Sequence, residues 1–490
     1  MLINIYWLIP EFFISISLTL LLIFAVIYTK RQNEFSQDLK LNWLTIWIIL
    51  ISIFLYFNQI YLYQNVQISL GLLNITTLTI FIKIILCTTT VIILLLSKQT
   101  IILKQIKDFE YFILILLALL GMLLIITSNN LIIFYLSLEL FSLSLYILAA
   151  INRQSEYSTE AGLKYFVLGS LSSGLLLFGC AILYVFTGEM NFENISSFIW
   201  YNNSFELIIG TMFIIIAILF KLAAAPFHMW APDVYEGAPT IITAFFAIVP
   251  KLAIIGVFIN LICFCFFGLF QQIQPIIIIA SILSMLIGSI GALNQTKIKR
   301  LIAYSAISHI GFILLGILPG TIYSIQATII YTIIYIIMSI ASFCLILSIF
   351  EKTNYISELS GLSRKNPILA STFALTLFSI AGIPPLAGFF SKYLILLEAL
   401  GNNLIILAII GVAASSIAAF YYIRIIKWMF FKDSIDFYIK DIADIIKPQI
   451  NITINTSLIL GVSLFFIITI LFYPNYLINF IFEIIVNSLV

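Results

Sequence analysis

The chain has 490 residues, of which 63% are hydrophobic, 15% aromatic and 9% charged, and its mean hydropathy is +1.18. A soluble domain carries about 25% charged residues, so these figures exclude a water-facing globule and require a polytopic membrane protein. Lys plus Arg (23) against Asp plus Glu (21) leave a formal charge of +2, which excludes a basic footprint for nucleic acid.

Polar breaks divide the chain into about fourteen apolar stretches, each near the roughly 20 residues that a transmembrane helix needs. The first three, Ile5–Tyr28, Leu41–Tyr63 and Leu72–Leu96, make an N-terminal segment over residues 1–110, with Lys83 in the middle of the third. Pro10 and Glu11 stand near the start, and with no Arg-rich presequence or cleavable signal ahead of them the chain is expected to insert where it is made. Next come Tyr111–Thr127, Leu131–Ala150 with Glu139 near its midpoint, Ala161–Phe186 with Lys164, Leu207–Trp230 with Lys221, Pro226 and His228, and Thr240–Phe264 with Lys251 at its centre. The series continues with Ile276–Leu293, Leu301–Leu318 with His309 halfway along, Tyr323–Phe350, Pro367–Leu397 with Pro384, Pro385 and Lys392, and Leu404–Phe430. Ser457–Phe472 closes it, as the helix of a C-terminal segment over 431–490.

The positive-inside rule checks the count, because basic residues should fall in alternate loops. Loops after odd-numbered spans hold Lys30 and Arg31, then Lys98, Lys104 and Lys107, then Arg153, then Lys297, Lys299 and Arg300, then Lys352, Arg364 and Lys365, then Lys432, Lys440 and Lys447. Loops after even-numbered spans hold almost none: Gln64–Gly71, Ser128–Asn130, the stretch with Glu189 and Glu193, Gln271–Pro275, Pro319–Gly320 and Gly401–Asn403. One odd loop, with Asp233 and Glu236, is acidic and breaks the pattern. Fourteen spans put both termini on the side opposite the basic loops.

Motifs exclude further classes. The five cysteines (Cys87, Cys180, Cys263, Cys265, Cys344) all lie in apolar runs without a C-x-x-C, which indicates neither an iron–sulfur site nor a disulfide frame. Two histidines are too few for usual haem or copper ligation, and no Gly-rich nucleotide loop is present in the sequence. No redox cofactor, nucleotide or metal is therefore expected on this chain. Heavy use of Ile, Phe, Asn, Lys and Tyr fits an AT-rich genome and hints at an organelle.

A charge at a helix centre costs about 2.5–3.5 kcal/mol on insertion scales, so each one inside a span asks for a reason. Glu139, Lys221, Lys251 and Lys392 lie too far from helix ends for comfortable snorkelling, as do Lys83 and His309. Each has a structural reading as half of a static salt bridge, and for Lys83 and Lys164 that reading is favoured. Yet three lysines against one central carboxylate cannot all be paired, and a lysine without a partner in a low-dielectric interior exchanges its proton readily. Lys221, Lys251, Lys392 and Glu139 are thus candidates for a proton relay, with His228 and His309 as titratable side chains suited to the same task or to a structural one. Pro226 in KLAAAPFHMWAP and Pro384-Pro385 in SIAGIPPLAGFFSK remove backbone donors inside two spans that lie five apart. Paired breaks of this kind are the sequence trace of inverted repeats, and a lysine stands beside each. Lys221 and His228, seven residues apart, would share a face only if the helix ran on through Pro226.

Five tracts carry a resemblance: FKLAAAPFHMWAPDVYEGAPT (Phe220–Thr240), AIVPKLA (Ala247–Ala253), NQTKIKRLIAYSAISHIGF (Asn294–Phe312), LKYFVLGSLSSG (Leu163–Gly174) and AGIPPLAGFFSKY (Ala381–Tyr393). Together they resemble the NADH dehydrogenase subunit 2 family, the antiporter-like membrane subunits of respiratory complex I, over nearly the whole chain. The resemblance implies an all-α polytopic fold with two inverted five-helix repeats, over 111–264 (helices 4–8) and 276–430 (helices 9–13), each with a proline-broken helix. It further implies that Glu139 and Lys221 form a pair whose separation changes with proton movement, that Lys251 is the central lysine, and that Lys392 faces the neighbouring channel half. No cofactor is implied here; NADH, FMN, iron–sulfur clusters and ubiquinone are expected on partner subunits. The implied partners are other complex I membrane subunits, especially the neighbouring antiporter-like subunit and the small membrane subunits, together with lipids. The implied location is the mitochondrial inner membrane, with both termini on the intermembrane-space side, or else a bacterial plasma membrane. Two other readings stay open: a cation/proton antiporter subunit of the Mrp type, which shares the fold, and a purely structural membrane subunit.

Overall fold

Apolar residues on every face of a helix require burial or lipid, and here they give an almost wholly helical chain. The computed structural model describes residues 6–29, 34–60, 65–68, 71–102, 109–201, 204–349, 355–432 and 453–489. Lys30, Arg31, Lys104, Lys107, Lys352, Lys440 and Lys447, which contribute to the loop alternation, lie outside these residues. In chain order the helices are α1 (Ile9–Thr29), α2 (Glu34–Ile60), α3 (Thr77–Ile102), α4 (Glu110–Thr127), α5 (Leu131–Ala149), α6 (Glu156–Thr187) and α7 (Phe192–Tyr201). They continue with α8 (Phe205–Leu222), α9 (Trp230–Gly237), α10 (Thr240–Asn260), α11 (Phe270–Leu293), α12 (Ile298–Ile317) and α13 (Ile322–Ile349). The last six are α14 (Leu362–Lys365), α15 (Pro367–Ala381), α16 (Ala387–Gly401), α17 (Ile405–Phe431), α18 (Ile454–Thr469) and α19 (Pro474–Leu489). One small antiparallel ribbon joins α2 to α3, β1 (Val66–Ile68) on β2 (Leu73–Ile75), with Val66 opposite Ile75.

Twelve helices among the described residues are long and apolar enough to cross a membrane, or thirteen spans if the bent pair α18 and α19 counts as one. The remaining apolar stretch of the sequence, Pro367–Leu397, is α15 and α16, 15 residues each and individually too short to cross. The tail after Phe472 is itself helical: α19 starts at Pro474 and turns 94° from α18. Proline suits that first position because its missing N–H has no helical acceptor there. Starts elsewhere are marked the same way, by the Asn130 side chain accepting from the Ile132 N–H and by Asn366 accepting from the Leu369 N–H ahead of Pro367.

Packing divides the chain into two units. The first comprises Met1–Ala223, Gly237–Ile276 and Phe482–Val490; the second comprises Ala224–Glu236 and Ile277–Ile481. In the first, α10 is buried along its whole span, against α3 and α4, while α6 packs on α8 and α5. In the second, α13 is the interior helix, packed on α12, α16 and α18. Outer helices keep apolar side chains outward, as with Phe12, Ile16, Leu20 and Ile23 of α1 and Leu163, Val167 and Leu171 of α6, a surface suited to lipid or to partner helices.

Candidate functional site

The first broken span sets the position of Lys221. Helix α8 stops at Leu222, and Ala223 takes the left-handed conformation (φ 60°) with its N–H returned to the carbonyls of Leu219 and Phe220. Lys221 therefore stands in the last turn of a half-helix, where unpaired carbonyls and the negative end of the helix dipole favour a cation. It is buried (5% exposed), and its Nζ donates a 2.8 Å hydrogen bond to the Tyr146 hydroxyl of α5. The Tyr146 ring meets the Tyr165 ring of α6 edge-on, centroids 4.7 Å apart at 87°. Gly169 of α6 makes room for it: a Cβ there would lie 2.1 Å from the Tyr146 hydroxyl.

Glu139 lies on the same face of α5, two turns before Tyr146. Its Oε1 is buried and accepts no hydrogen bond, so the ammonium bonds a neutral phenol and makes no ion pair with this carboxylate. Lys251, directly after Pro250, is buried at the centre of α10 in the same unit. His228 is not on the Lys221 helix at all, because the chain leaves helical geometry after Leu222; the two do not share a helix face. His228 is buried in the second unit with Nδ1 lacking a hydrogen-bond partner, and Pro226, beside a cis Ala225–Pro226 bond, is exposed.

The second broken span, in the second unit, shares the left-handed stop and the cis bond to proline but carries its lysine on the helix after the break. Helix α15 ends at Ala381, Gly382 is left-handed (φ 88°), and a cis Pro384–Pro385 bond precedes α16. Lys392 of α16 is buried and reaches back to the carbonyl oxygens of Ala381 (2.8 Å) and Ile380 (3.2 Å). These carbonyls end the α15 ladder, so the ammonium takes the place of the missing N–H donors. A Cβ on residue 382 would stand 2.9 Å from the Lys392 Cδ, so glycine serves both the backbone angle and the side-chain route. On α12, the His309 Nδ1 and the Tyr331 hydroxyl share a 2.6 Å hydrogen bond. Beside them Ser305, hydrogen-bonded to Tyr422, lines a cavity of about 30 Å³ with His309, Tyr335 and Ser339, room for about one water.

The two remaining candidate lysines, Lys83 and Lys164, are both paired. Lys83 of α3 and Glu11 of α1 form a buried ion pair, 1% and 6% exposed at the side chain, beside the Tyr56 ring. Lys164 is an outward residue of α6, bonded at 2.7 Å to Glu160 one turn before it. The acidic loop that breaks the charge alternation is also resolved: Glu236 of α9 pairs with Lys297 and Arg300, and Asp233 with Arg300. Its acids are neutralised by bases from the next basic loop. Among the described residues no group of three or more His, Cys, Asp or Glu side chains is placed to hold a metal ion.

Reading the sequence alone missed Tyr146, Gly169, Tyr331 and the partnership of Glu11. Tyr146 had a signal in its seven-residue spacing from Glu139 on an apolar helix, and Glu11 had one in being an acid inside the first apolar stretch. Tyr331 had none, since nothing in its surroundings on α13 separates it from Tyr335.

Residues 128–418 match the family described as NADH:quinone oxidoreductase/Mrp antiporter, transmembrane. The NADH-quinone oxidoreductase subunit N of Pelagibacter ubique is 42% identical over 462 residues, 93% of this chain and 96% of that one. The NADH-ubiquinone oxidoreductase chain 2 of Marchantia polymorpha is 40% identical over 483 residues, 95% of each. Among solved structures, a chain of respiratory complex I from Thermus thermophilus with bound aureothin superposes with a TM-score of 0.78 at 23% identity, covering 96% of this chain and 98% of that chain. At that identity the likeness speaks for the fold.

Proposed function

We propose a function from one premise: the chain belongs to the NADH:quinone oxidoreductase/Mrp antiporter transmembrane family, alongside its subunit N and chain 2 members. It is a proton-translocating, antiporter-like subunit in the membrane arm of respiratory complex I, and it works with the other subunits of that complex. NADH oxidation and quinone reduction take place on partner chains, which hold FMN and the iron–sulfur clusters, and this chain carries no cofactor of its own. Its neighbours are a second antiporter-like subunit and the small membrane subunits. The membrane is the mitochondrial inner membrane, with both termini on the intermembrane-space side; a bacterial plasma membrane is the alternative that relatives from both sources leave open.

The observation that carries the reading is the repeated construction at the two breaks. Each half-helix stops at a left-handed residue, Ala223 or Gly382, and a buried lysine stands at each carbonyl end, Lys221 in the last turn of α8 and Lys392 reaching back from α16 to the end of α15. The repetition supports two inverted five-helix repeats, over 111–264 and 276–430. Glu139, Lys221, Lys251 and Lys392 form the relay, with His309 and His228 in support and Lys83 and Lys164 as structural charges. Two unit charges about 10 Å apart at an effective dielectric of about 20 interact by roughly 1.7 kcal/mol, more than a tenfold change in a protonation equilibrium. A displaced neighbouring charge can thus load or unload a lysine without a large backbone motion. Each charge moved against the potential needs about 2.3 kcal/mol per 100 mV, so several coupled steps are required.

The test uses the assembled complex in sealed vesicles. Lys221→Ala and Glu139→Ala each lower NADH-driven proton uptake severalfold and slow the coupled quinone reduction. Normal pumping in both variants would sink the relay and leave the structural reading. Sodium-dependent transport without NADH-linked activity would move the assignment to the Mrp type.

A further inference from the structure

We infer that Tyr146 is the positioning residue for Lys221, holding its nitrogen out of contact with Glu139 and supplying a hydrogen-bond partner in both of its charge states; this rests on the relay proposed above. A carboxylate can only accept, and in contact it would fix Lys221 as an ammonium. A phenol both accepts and donates. With Lys221 protonated, an N–H donates to the Tyr146 oxygen at 2.8 Å. Once that proton has passed to a water molecule, the amine lone pair accepts the Tyr146 O–H instead. The phenol O–H bond never breaks, one proton leaves, and neither side chain has to move.

Contacts from α6 converge on this one ring and fix its place. Tyr165 meets it edge-on at 4.7 Å, Phe166 does so at 5.8 Å, and Gly169 leaves the space its hydroxyl fills. Glu139, seven residues earlier on the same face, sits roughly 10 Å away along the α5 axis. It therefore acts on Lys221 through its field, with Oε1 unbonded.

The experiment is Tyr146→Phe in the assembled complex, which keeps the ring and removes the hydroxyl. Expected are normal amounts of assembled complex, proton uptake reduced about tenfold, in line with loss of a hydrogen bond to a charged group, and a displaced pH profile of coupled quinone reduction. Gly169→Ala, which drives a methyl group into the hydroxyl, is expected to give the same displacement. A difluorotyrosine at 146 nearly keeps the shape but changes the strength of the O–H as a donor; it shifts the pH profile here and would leave it unmoved if the ring served only packing. This variant decides the matter should the phenylalanine form fail to assemble. Wild-type pumping and pH profile in Tyr146→Phe, with Lys221→Ala and Glu139→Ala impaired, would overturn this inference alone. Wild-type pumping in all three would overturn the relay.

Discussion

At the scale of single residues, the buried charges divide by what they touch. Lys83 and Glu11 meet as an ion pair, and removing one partner strands the other charge at a cost of about 3–5 kcal/mol. Glu11→Ala is therefore expected to lower the amount and thermal stability of the assembled complex, whereas the double change Glu11→Leu with Lys83→Met should restore most of both. Failure of the double change to rescue would show that the pair does more than hold α1 to α3. Lys221, bonded to a neutral phenol, is a different kind of charge, and its loss should act on pumping. The sequence made the charges themselves legible because so few lie inside apolar stretches. Their partners were hidden: Tyr146 is one of 24 tyrosines, and what distinguishes it is the space left by Gly169 on another helix, a fact of packing with no local trace.

At the scale of elements, the two breaks use the same backbone device with different residues. Gly382 holds its φ of 88° freely, while Ala223 holds 60° at a cost of roughly 1–2 kcal/mol for an L residue. Gly382→Ala is expected to destabilise by at least that amount and, by crowding Lys392, to reduce proton uptake; Ala223→Gly should raise the thermal midpoint slightly with pumping retained. Equal thermal midpoints for both variants and wild type would remove the conformational argument. The proline break at 384–385 could be read from the chain because two adjacent prolines cannot continue a helix. The loss of a shared face between Lys221 and His228 could be read from Pro226 in the same way, because seven-residue spacing places two side chains together only on an unbroken helix. The end of α18 was legible in Pro474 and Asn475, but the second helix α19 beyond it and the 94° between them were not, since hydropathy does not register direction.

For the whole molecule, hydropathy supplied the spans, and loop charge gives an expected sidedness that labelling can test. Single cysteines placed at Arg153 and Arg364 should react with a membrane-impermeant thiol reagent from one side, and those placed at Ser128 and Gly320 from the other. Labelling of all four from the same side would refute the alternation. Of the five native cysteines four are buried, which keeps the background low. The acidic exception around Asp233 shows where loop charge misleads: these acids answer to Lys297 and Arg300, about sixty positions further on, and not to the membrane.

That distance along the chain has a consequence for biogenesis. A ribosome delivers residues in order, so the segment Ala224–Glu236 reaches the bilayer well before the bases that neutralise it have been made. Until α12 is inserted, Asp233 and Glu236 have no Lys297 or Arg300 to meet, and α9 cannot take its final seat. The seat of α9 is thus completed only after translation has moved on past Arg300, which makes this part of the second unit a late product of assembly.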